Sequence, residues 1–391
     1  MRRDIMHVVV LACCAAMAGV AVQAEEDKTA PAAVQSRVNE ERLNVQALQV
    51  LDARGGFIRL EGRSLFLTSN VGEHAQTGYW FDVGPDPRRP SLVCGSLPGA
   101  WDVGVAGEYA FVCDYTKFLA VYDMRDRHWQ QTARLEMASM TENIIIRAKL
   151  AYVANHVAGL TIVDISTPSK PSIVSNFNPH IDCDAIGLWH DCAILYGHWE
   201  SRLVLVDVSD PAKPRQTGVY QNDSKTFNQG EMAVDGGFAY CTAMSGLVIV
   251  NIADQNNPKL AKAVDLNGPV SDVVVADGYA FLAAGPRGVL VLDVSDTGAP
   301  HQIGCYKARK GFAASQIAVQ RAARVHDAAV PRTESSEKAV PCAASASGHA
   351  APGLDTDYLI YVANSQGPAI VLLFRAPVRR GGCEQRTGQP G

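Results

Sequence analysis

Polar side chains that could bind a cation or a ligand recur at one position of this 391-residue chain, seven residues before an apolar strand-like segment. The occupants of this position are Asp102, Asn143, Glu231 and Asp272, with Asp184 after a one-residue shift and Gln316 and Phe57 as approximate counterparts. Carboxylates that converge on one point favour a divalent cation or a ligand with several hydrogen-bond donors. The alternative is structural: the side chains cap turns and line a water-filled channel. No calcium loop of the DxDxDG type supports the cation.

Histidines accompany these positions. The histidines expected on the same face as the recurring acids are His74, His156, His180 and His198, and those expected on the opposite face are His128 and His190. Histidine beside carboxylates binds transition metals or carries out acid–base catalysis. The alternative is a set of solvated loop histidines, because their spacing fits no metal-ligand motif.

An apolar run that ends in Asp and a proline-containing turn is repeated along the chain. The clear copies are GLTIVDISTPSKP at 159–171, RLVLVDVSDPAKP at 202–214, GLVIVNIADQNNP at 246–258 and GVLVLDVSDTGAP at 288–300, and looser copies lie at 78–90, 118–129 and 367–377. The anchor residues are Asp82, Asp123, Asp164, Asp207 and Asp293, with Asn251 standing in once. Their period of about 42 residues is typical of a repeat architecture. A carboxylate placed here can accept backbone N–H groups of the turn, so these Asp residues are predicted to be structural.

Each repeat divides into four short strands. In residues 271–307 the segments SDVVVA, YAFLAA, VLVLDV and HQIGCY are separated by turn residues, including Asp277-Gly278. An Asp-Gly pair favours a two-residue hairpin turn, because Gly tolerates positive φ. Four antiparallel strands every 42 or so residues predict an all-β fold, a seven-bladed β-propeller of four-stranded antiparallel blades. The last repeat lacks a fourth strand, which we expect residues 47–52 to supply, so that an N-terminal strand closes the ring.

The strands LTIVD (160–164), LVLVD (203–207), LVIVN (247–251) and VLVLD (289–293) closely resemble the LVIVD repeat of bacterial exported proteins. The segments Ala151–Ala154 and Asp272–Ala280 are also similar to that repeat. The resemblance covers about residues 45–375. It implies a β-propeller and a periplasmic, cell-surface or secreted location, and it brings no defined catalytic motif.

The ends of the chain and one internal stretch differ in composition from the repeats. Arg2 and Arg3, the apolar run after them and Val22-Gln23-Ala24 predict a signal peptide at 1–24. An uncleaved anchor and a lipoprotein are the alternatives. Residues 25–44 are expected to be a linker, 45–375 the propeller, 321–357 a disordered insertion in its last blade and 376–391 a flexible tail. No transmembrane span is predicted after signal cleavage.

Net charge and aromatic content limit the possible classes of partner, and the cysteine count bears on disulfide formation. The net charge of -5 and the 7% aromatic content argue against nucleic acid, which requires a basic stripe or stacking platform. Of 10 cysteines, Cys13 and Cys14 lie in the predicted signal peptide, and the remaining even number permits disulfides in an exported chain. Cys342–Cys383 is one candidate pair, and the alternatives are two unpaired thiols or disulfides to cysteines of the core.

Two functions fit these observations. The favoured one is an extracytoplasmic, non-enzymatic binding or scaffold protein whose partner is a protein or a cell-surface glycan. The alternative is a metal-assisted propeller hydrolase or lyase acting on an exported sugar or lactone. In that case the candidate metal ligands are Asp102, Asp184, Glu231 and Asp272, with His156 or His198 as the base. In both, the ligand site is expected at the channel mouth. No cofactor is firmly implied, and a divalent cation is the candidate. Fold alone does not separate the two, because propellers host both kinds of function.

Overall fold

The computed structural model describes residues 45–68, 78–84, 86–97, 99–126, 129–224, 226–307, 312–323 and 356–377. These residues form antiparallel sheets arranged as a seven-bladed propeller, which confirms the predicted fold class. Within these ranges no helix has the length and apolar character needed to cross a membrane. The predicted signal peptide, linker, tail and most of the predicted insertion lie outside the described residues.

In blades 1 to 3, four consecutive strands each pair with their neighbours in the chain. Blade 1 consists of β2 (Phe57–Glu61), β3 (Ser64–Thr68), β4 (Gly78–Asp82) and β5 (Ser91–Leu97). Blade 2 consists of β6 (Asp102–Ala106), β7 (Tyr109–Cys113), β8 (Phe118–Asp123) and β9 (Gln130–Glu136). Blade 3 consists of β10 (Asn143–Arg147), β11 (Leu150–Ala154), β12 (Leu160–Asp164) and β13 (Ser172–Phe177).

Blades 4 to 6 repeat this pattern. Blade 4 consists of β14 (Ala185–Trp189), β15 (Cys192–Gly197), β16 (Arg202–Asp207) and β17 (Arg215–Gln221). Blade 5 consists of β18 (Phe227–Asp235), β19 (Phe238–Ala243), β20 (Gly246–Asn251) and β21 (Lys259–Asp265). Blade 6 consists of β22 (Asp272–Ala276), β23 (Tyr279–Ala283), β24 (Val289–Asp293) and β25 (His301–Tyr306).

Blade 7 combines the two ends of the propeller sequence. Its inner strand β26 (Ala314–Ala323) pairs with the first half of β27 (Thr356–Arg375). The second half of β27 pairs with β1 (Val45–Gly55). The N-terminal strand therefore supplies the fourth strand and closes the ring, as the sequence predicts.

The core consists of apolar layers between neighbouring blades. Successive side chains of a strand point to opposite faces of the sheet. Ile194 of β15 therefore packs in the layer shared with blade 5, whereas the next residue, Leu195, packs in the layer shared with blade 3. This explains why the second and third strands are apolar on nearly every residue. The fourth strands face solvent, as the mostly exposed side chains of β21 show.

The first strands of the seven blades surround the propeller axis. Going round the ring, the order is β2, β6, β10, β14, β18, β22 and β26, and each strand contacts the next, including β26 with β2. The recurring polar position lies at or near the start of these strands, which places its side chains at one mouth of the central channel. β18 has a long register shift between Phe227 and Met232, and β26 has a shorter one between Ala314 and Gln316.

The described cysteines are free thiols, and they are Cys94, Cys113, Cys183, Cys192, Cys241 and Cys305. All except Cys94 are buried. Such thiols act as small apolar side chains in the blades. The proposed Cys342–Cys383 pair lies outside the described residues.

Candidate functional site

The polar side chains at the channel mouth form hydrogen bonds from one blade to the next. Asp102 at the start of β6 accepts the backbone N–H of Ile144 in blade 3 with its Oδ2 at 3.0 Å. The equivalent bonds run from Ile186 N–H to Asn143 Oδ1 (3.2 Å), from Ile317 N–H to Asp272 Oδ2 (2.7 Å) and from Ile58 N–H to Gln316 Oε1 (2.9 Å). We refer to the acceptors Asp102, Asn143, Asp272 and Gln316 as the clasp residues. They join neighbouring inner strands.

The two acidic clasp residues also use their second oxygen. Oδ1 of Asp102 accepts the N–H of Val103 at 2.8 Å, and Oδ1 of Asp272 accepts the N–H of Val273 at 2.7 Å. Both carboxylates are buried. Because each oxygen already accepts a backbone N–H, the geometry favours the structural interpretation of these two residues.

Glu231 reaches across the channel instead of joining adjacent blades. The register shift of β18 places it opposite two clasp residues. Asn143 donates to its Oε2 at 3.4 Å, and Gln316 donates to its Oε1 at 3.3 Å. Blades 3, 5 and 7 thus meet through one carboxylate, so Glu231 occupies the channel mouth and two amide groups orient it.

The channel mouth is rich in negative charge. The basic group beside it is Arg59, whose Nη1 lies 3.8 Å from Asp102 Oδ2. Burial, followed by repulsion from Asp272 and Asp102, holds the pKa of Glu231 well above its usual range. Burial likewise raises the pKa of Asp272 to about 7, against the lowering effect of its two backbone hydrogen bonds. The pKa of Arg59 is raised, mainly by Asp102.

Asp184 of blade 4 departs from the clasp pattern. Its Oδ2 accepts the backbone N–H of His198 at 2.9 Å and lies 2.6 Å from His198 Nδ1. Both residues belong to blade 4. Among the described residues, no hydrogen bond runs from blade 5 to Asp184. The structure therefore brings together two of the predicted site residues, Asp184 and His198, away from the clasp bonds.

A second polar cluster lies next to this pair, and its members are Glu142, His156 and Asp182. Nε2 of His156 lies 3.5 Å from Glu142 Oε1, and Nδ1 lies 3.1 Å from Asp182 Oδ1. Ligand atoms from the three residues all lie within 4.8 Å of one another. The entry loops of blades 3 and 4 supply the two acids, and the loop between β11 and β12 supplies the histidine. We call this set the entry-loop cluster.

Burial and like charge act on the acids of the entry-loop cluster. Burial and then Asp184, Asp182 and Glu231 hold the pKa of Glu142 well above its usual range. Burial, followed by Asp184 and Glu200, raises the pKa of Asp182 to about 7, with His198 acting in the opposite direction. The cluster therefore concentrates negative charge in a place where that charge is costly.

The four carboxylates predicted as metal ligands do not form such a cluster. Of the His, Cys, Asp and Glu side chains that the structure describes, the group with three ligand atoms within 4.8 Å is the entry-loop cluster. It contains His156 but none of the carboxylates at the recurring position. The cluster lies one or two residues before the recurring position, at Glu142 before Asn143 and at Asp182 before Asp184, and the predicted cation site stays a prediction.

A row of aromatic rings, which the sequence did not indicate, leads from blade 1 to the cluster. The ring centroids of Phe57 and Trp101 are 4.5 Å apart, those of Trp101 and Tyr115 are 4.6 Å apart, and those of Tyr115 and His156 are 6.2 Å apart. On the far side of the cluster, Trp199 lies 4.6 Å from the His198 ring. The polar cluster is therefore bordered by aromatic groups on two sides.

Two further histidines of the prediction, His180 and His190, are described by the structure and are not part of the entry-loop cluster. The backbone N–H of His180 donates to Asn178 in the loop that enters blade 4. His190 lies in the turn between β14 and β15, where its carbonyl accepts a hydrogen bond from Arg147. His74 and His128 lie outside the described residues.

Comparison with known proteins identifies the repeat. The family model of the LVIVD repeat matches residues 99–126, 138–179, 197–222, 229–265 and 267–308. The chain belongs to the LVIVD-repeat family of β-propellers. The matched ranges include the entry-loop cluster except Asp182, and they include blades 3 and 6, most of blade 5, the first three strands of blade 2 and the outer two strands of blade 4. No curated protein matches the chain.

Two solved structures share the fold with this LVIVD-repeat protein. The crystal structure of the computationally designed Ika8 protein is similar with 8% identity over 82% of each chain and a TM-score of 0.52. A functionally unknown protein from Desulfotomaculum acetoxidans is similar with 11% identity and a TM-score of 0.51, over 65% of this chain and 86% of the other. At these identities the likeness supports the fold alone.

The anchor residue of the LVIVD repeat has the same contact in each described copy. Asp164 Oδ1 accepts the N–H of Ser166 at 2.8 Å, two residues further along the chain. The same bond is formed by Asp82, Asp123, Asp207, Asn251 and Asp293. The side-chain hydrogen bond of Ser166, followed by this backbone hydrogen bond, lowers the pKa of Asp164. A side chain that stabilises the turn is expected to accept this backbone N–H, as the sequence predicts for these residues.

Proposed function

We propose that this LVIVD-repeat protein is an exported, non-enzymatic binding protein that presents one face of a rigid propeller to a partner. The observation that carries this proposal is a set of exposed apolar side chains on equivalent loops of three consecutive blades. Val157, Trp199 and Met244 are each more than half exposed, and each lies in the loop between the second and third strands. Exposed apolar groups that gather on one face mark interaction surfaces.

The channel mouth supports a scaffold role. The clasp residues use their polar atoms to connect blades, and Glu231 connects three of them. A rigid ring of this kind positions loops accurately, which is how propellers and other scaffolds carry binding sites. The hydrolase or lyase interpretation required the acidic clasp residues to face a substrate, and their backbone hydrogen bonds do not favour it.

The partner surface can be tested with isolated cell envelopes of the producing organism. We expect the mature protein to bind them saturably and the Trp199→Ala and Met244→Ser variants to bind about 10-fold more weakly or worse, as for contact residues at the centre of an interface. Leu260→Ala is the matched control, because Leu260 is 53% exposed but lies on the outer strand of blade 5. Equal binding by the loop variants and the wild type would rule out this face.

The class of partner follows from treating the envelopes before binding. Loss of binding after protease treatment indicates a protein partner, and loss after periodate oxidation indicates a glycan. Trp199 fits either class, because an exposed indole packs on protein side chains and on sugar rings. Absence of saturable binding to untreated envelopes would contradict the binding function itself.

Export is part of the same proposal, and it rests on the Arg-containing start, the apolar run and the small residues at 22–24. The test is N-terminal sequencing of the protein recovered from the extracytoplasmic fraction of its own cells. We expect Glu25 as the first residue. Recovery of the intact chain from the cytoplasmic fraction would contradict export.

A further inference from the structure

The entry-loop cluster has the composition of a metal site. Its three side chains come from separate segments of blades 3 and 4, and each offers one ligand atom within 4.8 Å of the others. For bonds of about 2.1 Å, tetrahedral coordination places neighbouring ligand atoms about 3.4 Å apart. One nitrogen of His156 serves as the ligand, and Nε2 lies 3.5 Å from Glu142 Oε1, close to this value. Asp182 Oδ1 lies 3.1 Å from the other ring nitrogen, Nδ1, so side-chain rotation must bring the Asp182 oxygen and one nitrogen to the same side of the ring.

The Glu142 carboxylate points to a ligand independently of this spacing. Its side chain is only 6% exposed. Among the described residues it accepts no hydrogen bond, and its approach to His156 Nε2 at 3.5 Å exceeds hydrogen-bond distance. Buried carboxylates are almost always paired, hydrogen-bonded or bound to a metal, because burial of a bare charge is costly. Asp182 Oδ1 is likewise buried, and although it lies 3.1 Å from His156 Nδ1, it forms no hydrogen bond of normal geometry in the described part of the chain.

The surrounding charges favour a cation. The acidic groups that act on Glu142 and Asp182 are Asp184, Glu200 and Glu231, and the opposing basic group is the His198 imidazole. A divalent ion would replace repulsion between these carboxylates by attraction, which is the usual effect of a bound cation on an acidic site. Inorganic anions and acidic ligands are disfavoured there for the same reason.

We propose that Glu142, His156 and Asp182 bind a divalent first-row transition-metal ion. One imidazole and two carboxylates form a donor set that Zn²⁺ accepts, whereas Ca²⁺ and Mg²⁺ prefer oxygen ligands alone. Three protein ligands leave a coordination position open for water or for an atom of a bound partner. The site goes beyond the proposed binding function and does not depend on it.

Neighbouring polar groups hold the ligand segment in place. The backbone N–H of Asp182 donates to Glu200 Oε2 at 3.2 Å. Asp184, two residues further along, is fixed by the backbone and ring of His198. Such supporting contacts fix the orientation of ligand side chains and raise metal affinity. In this arrangement Asp184 and His198 act as positioning residues, not ligands.

The test is direct metal binding to the full mature protein without a polyhistidine tag. The protein is stripped with EDTA and titrated with ZnCl2 by calorimetry, and Co²⁺ is added separately to record visible absorption. We expect one Zn²⁺ per chain and the absorption of a nitrogen- and oxygen-bound Co²⁺. The ligand variants are Glu142→Gln, which keeps the side-chain shape, and His156→Asn.

The matched control is His190→Asn. His156 and His190 both have positive φ, 45° and 49°, and Asn tolerates that conformation better than other replacements. We expect both ligand variants to weaken Zn²⁺ binding by more than about 100-fold, since even supporting residues cost about 10- to 100-fold. His190→Asn should bind as the wild type does. Circular dichroism shows whether each variant is folded. If His156→Asn is not folded, the result for Glu142→Gln decides the test.

Two outcomes would overturn the proposal. If the stripped wild type takes up no stoichiometric Zn²⁺, His156 merely bridges two carboxylates. If Glu142→Gln binds Zn²⁺ as tightly as the wild type, the ion lies elsewhere. Neither outcome affects the envelope-binding test of Trp199 and Met244, so failure of the metal site and failure of the proposed function are distinguishable.

Discussion

The recurring polar position is used differently in blade 4 and in the four blades that carry a clasp residue. In blades 2, 3, 6 and 7 the polar side chain near the start of the inner strand accepts an N–H of the next blade. In blade 4, Asp184 turns to His198 of its own blade. The entry-loop cluster lies beside this exception. The comparison teaches that the regular copies connect neighbouring blades, whereas the proposed metal site lies beside a copy that does not.

The difference coincides with the long register shift in blade 5. This shift lies directly before Met232, whose equivalents in blades 3, 4 and 7 donate an N–H to the preceding blade. It also sends Glu231 into the channel, towards Asn143 and Gln316. β-bulges are common beside functional sites because they redirect a side chain. The irregular strand β18 therefore accompanies both the turn of Asp184 towards His198 and the crossing carboxylate of Glu231.

The largest effect is expected from removal of a clasp. Asp272→Ala leaves the N–H groups of Val273 and Ile317 without their acceptors in a buried place, and each such loss costs about 1–3 kcal/mol. We expect a net loss of about 2–4 kcal/mol in the free energy of unfolding, measured by urea denaturation at pH 7. Asp184→Ala should cost less, because it leaves one backbone N–H, that of His198, without its acceptor instead of two.

The matched variant for this prediction is Asp272→Asn, whose amide oxygen can still accept the N–H of Ile317, as Asn143 accepts that of Ile186. It should recover part of the loss. Equal destabilisation by Asp272→Ala and Asp184→Ala would remove the distinction between the regular blades and blade 4.

A second effect concerns the charge of Glu231 and its pH dependence. Because the pKa of Glu231 is raised in the folded protein, its neutral form contributes stability at pH values below about 4.5, the unfolded pKa. As pH rises, the unfolded chain ionises first, so the folded state loses stability. Glu231→Gln removes this dependence. We expect the variant to gain on the order of 1–2 kcal/mol relative to the wild type between pH 4 and pH 8.

The measurement is urea unfolding of both proteins across that range. At low pH the Glu231→Gln variant should be as stable as the wild type or less stable. Its side chain has one oxygen, so the amide of either Asn143 or Gln316 meets an NH2 group where the wild type offers a carboxyl oxygen. If the free energies of unfolding of the two proteins change in parallel with pH, burial does not raise the pKa of Glu231 and the prediction is wrong.

A smaller effect is expected at the anchor of the LVIVD repeat. Asp207→Ala removes the acceptor of the Ser209 N–H, and similar losses of a capping side chain cost about 0.5–1 kcal/mol where the site is exposed. The thermal midpoint should fall slightly, whereas Zn²⁺ affinity should not change. A change in Zn²⁺ affinity would contradict the separation of scaffold and site.

The fold was predictable because its signals are local. The LVIVD strands, the Asp277-Gly278 turn and the anchor Asp each specify a short piece of chain, and their period specifies the blade. Even the closing strand could be inferred, since the last repeat lacked a partner that residues 45–55 supply. Turn chemistry and strand burial act within a few residues, and sequence reports them directly.

The site was only partly predictable because its contacts are not local. His156 and the recurring position were visible, but Glu142 and Asp182 fall one and two residues before that position and do not recur. The equivalent of Glu142 is Trp101 in blade 2 and Ser271 in blade 6. An acidic residue that appears in one blade and not in the others was the sequence signal that could have indicated these two residues. The direction of each clasp side chain decides which N–H group it accepts. The repeat period does not specify this direction.

The smallest stability effect and the sharpest comparison come from Asp184→Asn. The amide oxygen can still accept the N–H of His198, and the substitution removes one of the carboxylates that repel Glu142 and Asp182. We expect the free energy of unfolding to change by less than about 0.5 kcal/mol, as for most substitutions that keep local contacts. Zn²⁺ affinity should nevertheless fall by about 10-fold, because a neutral side chain no longer supports the cation or orients its neighbours as strongly. Calorimetry and urea unfolding on one preparation measure both quantities. A stability loss like that of Asp272→Ala, with unchanged Zn²⁺ binding, would mean that Asp184 is another scaffold residue and that blade 4 is no exception.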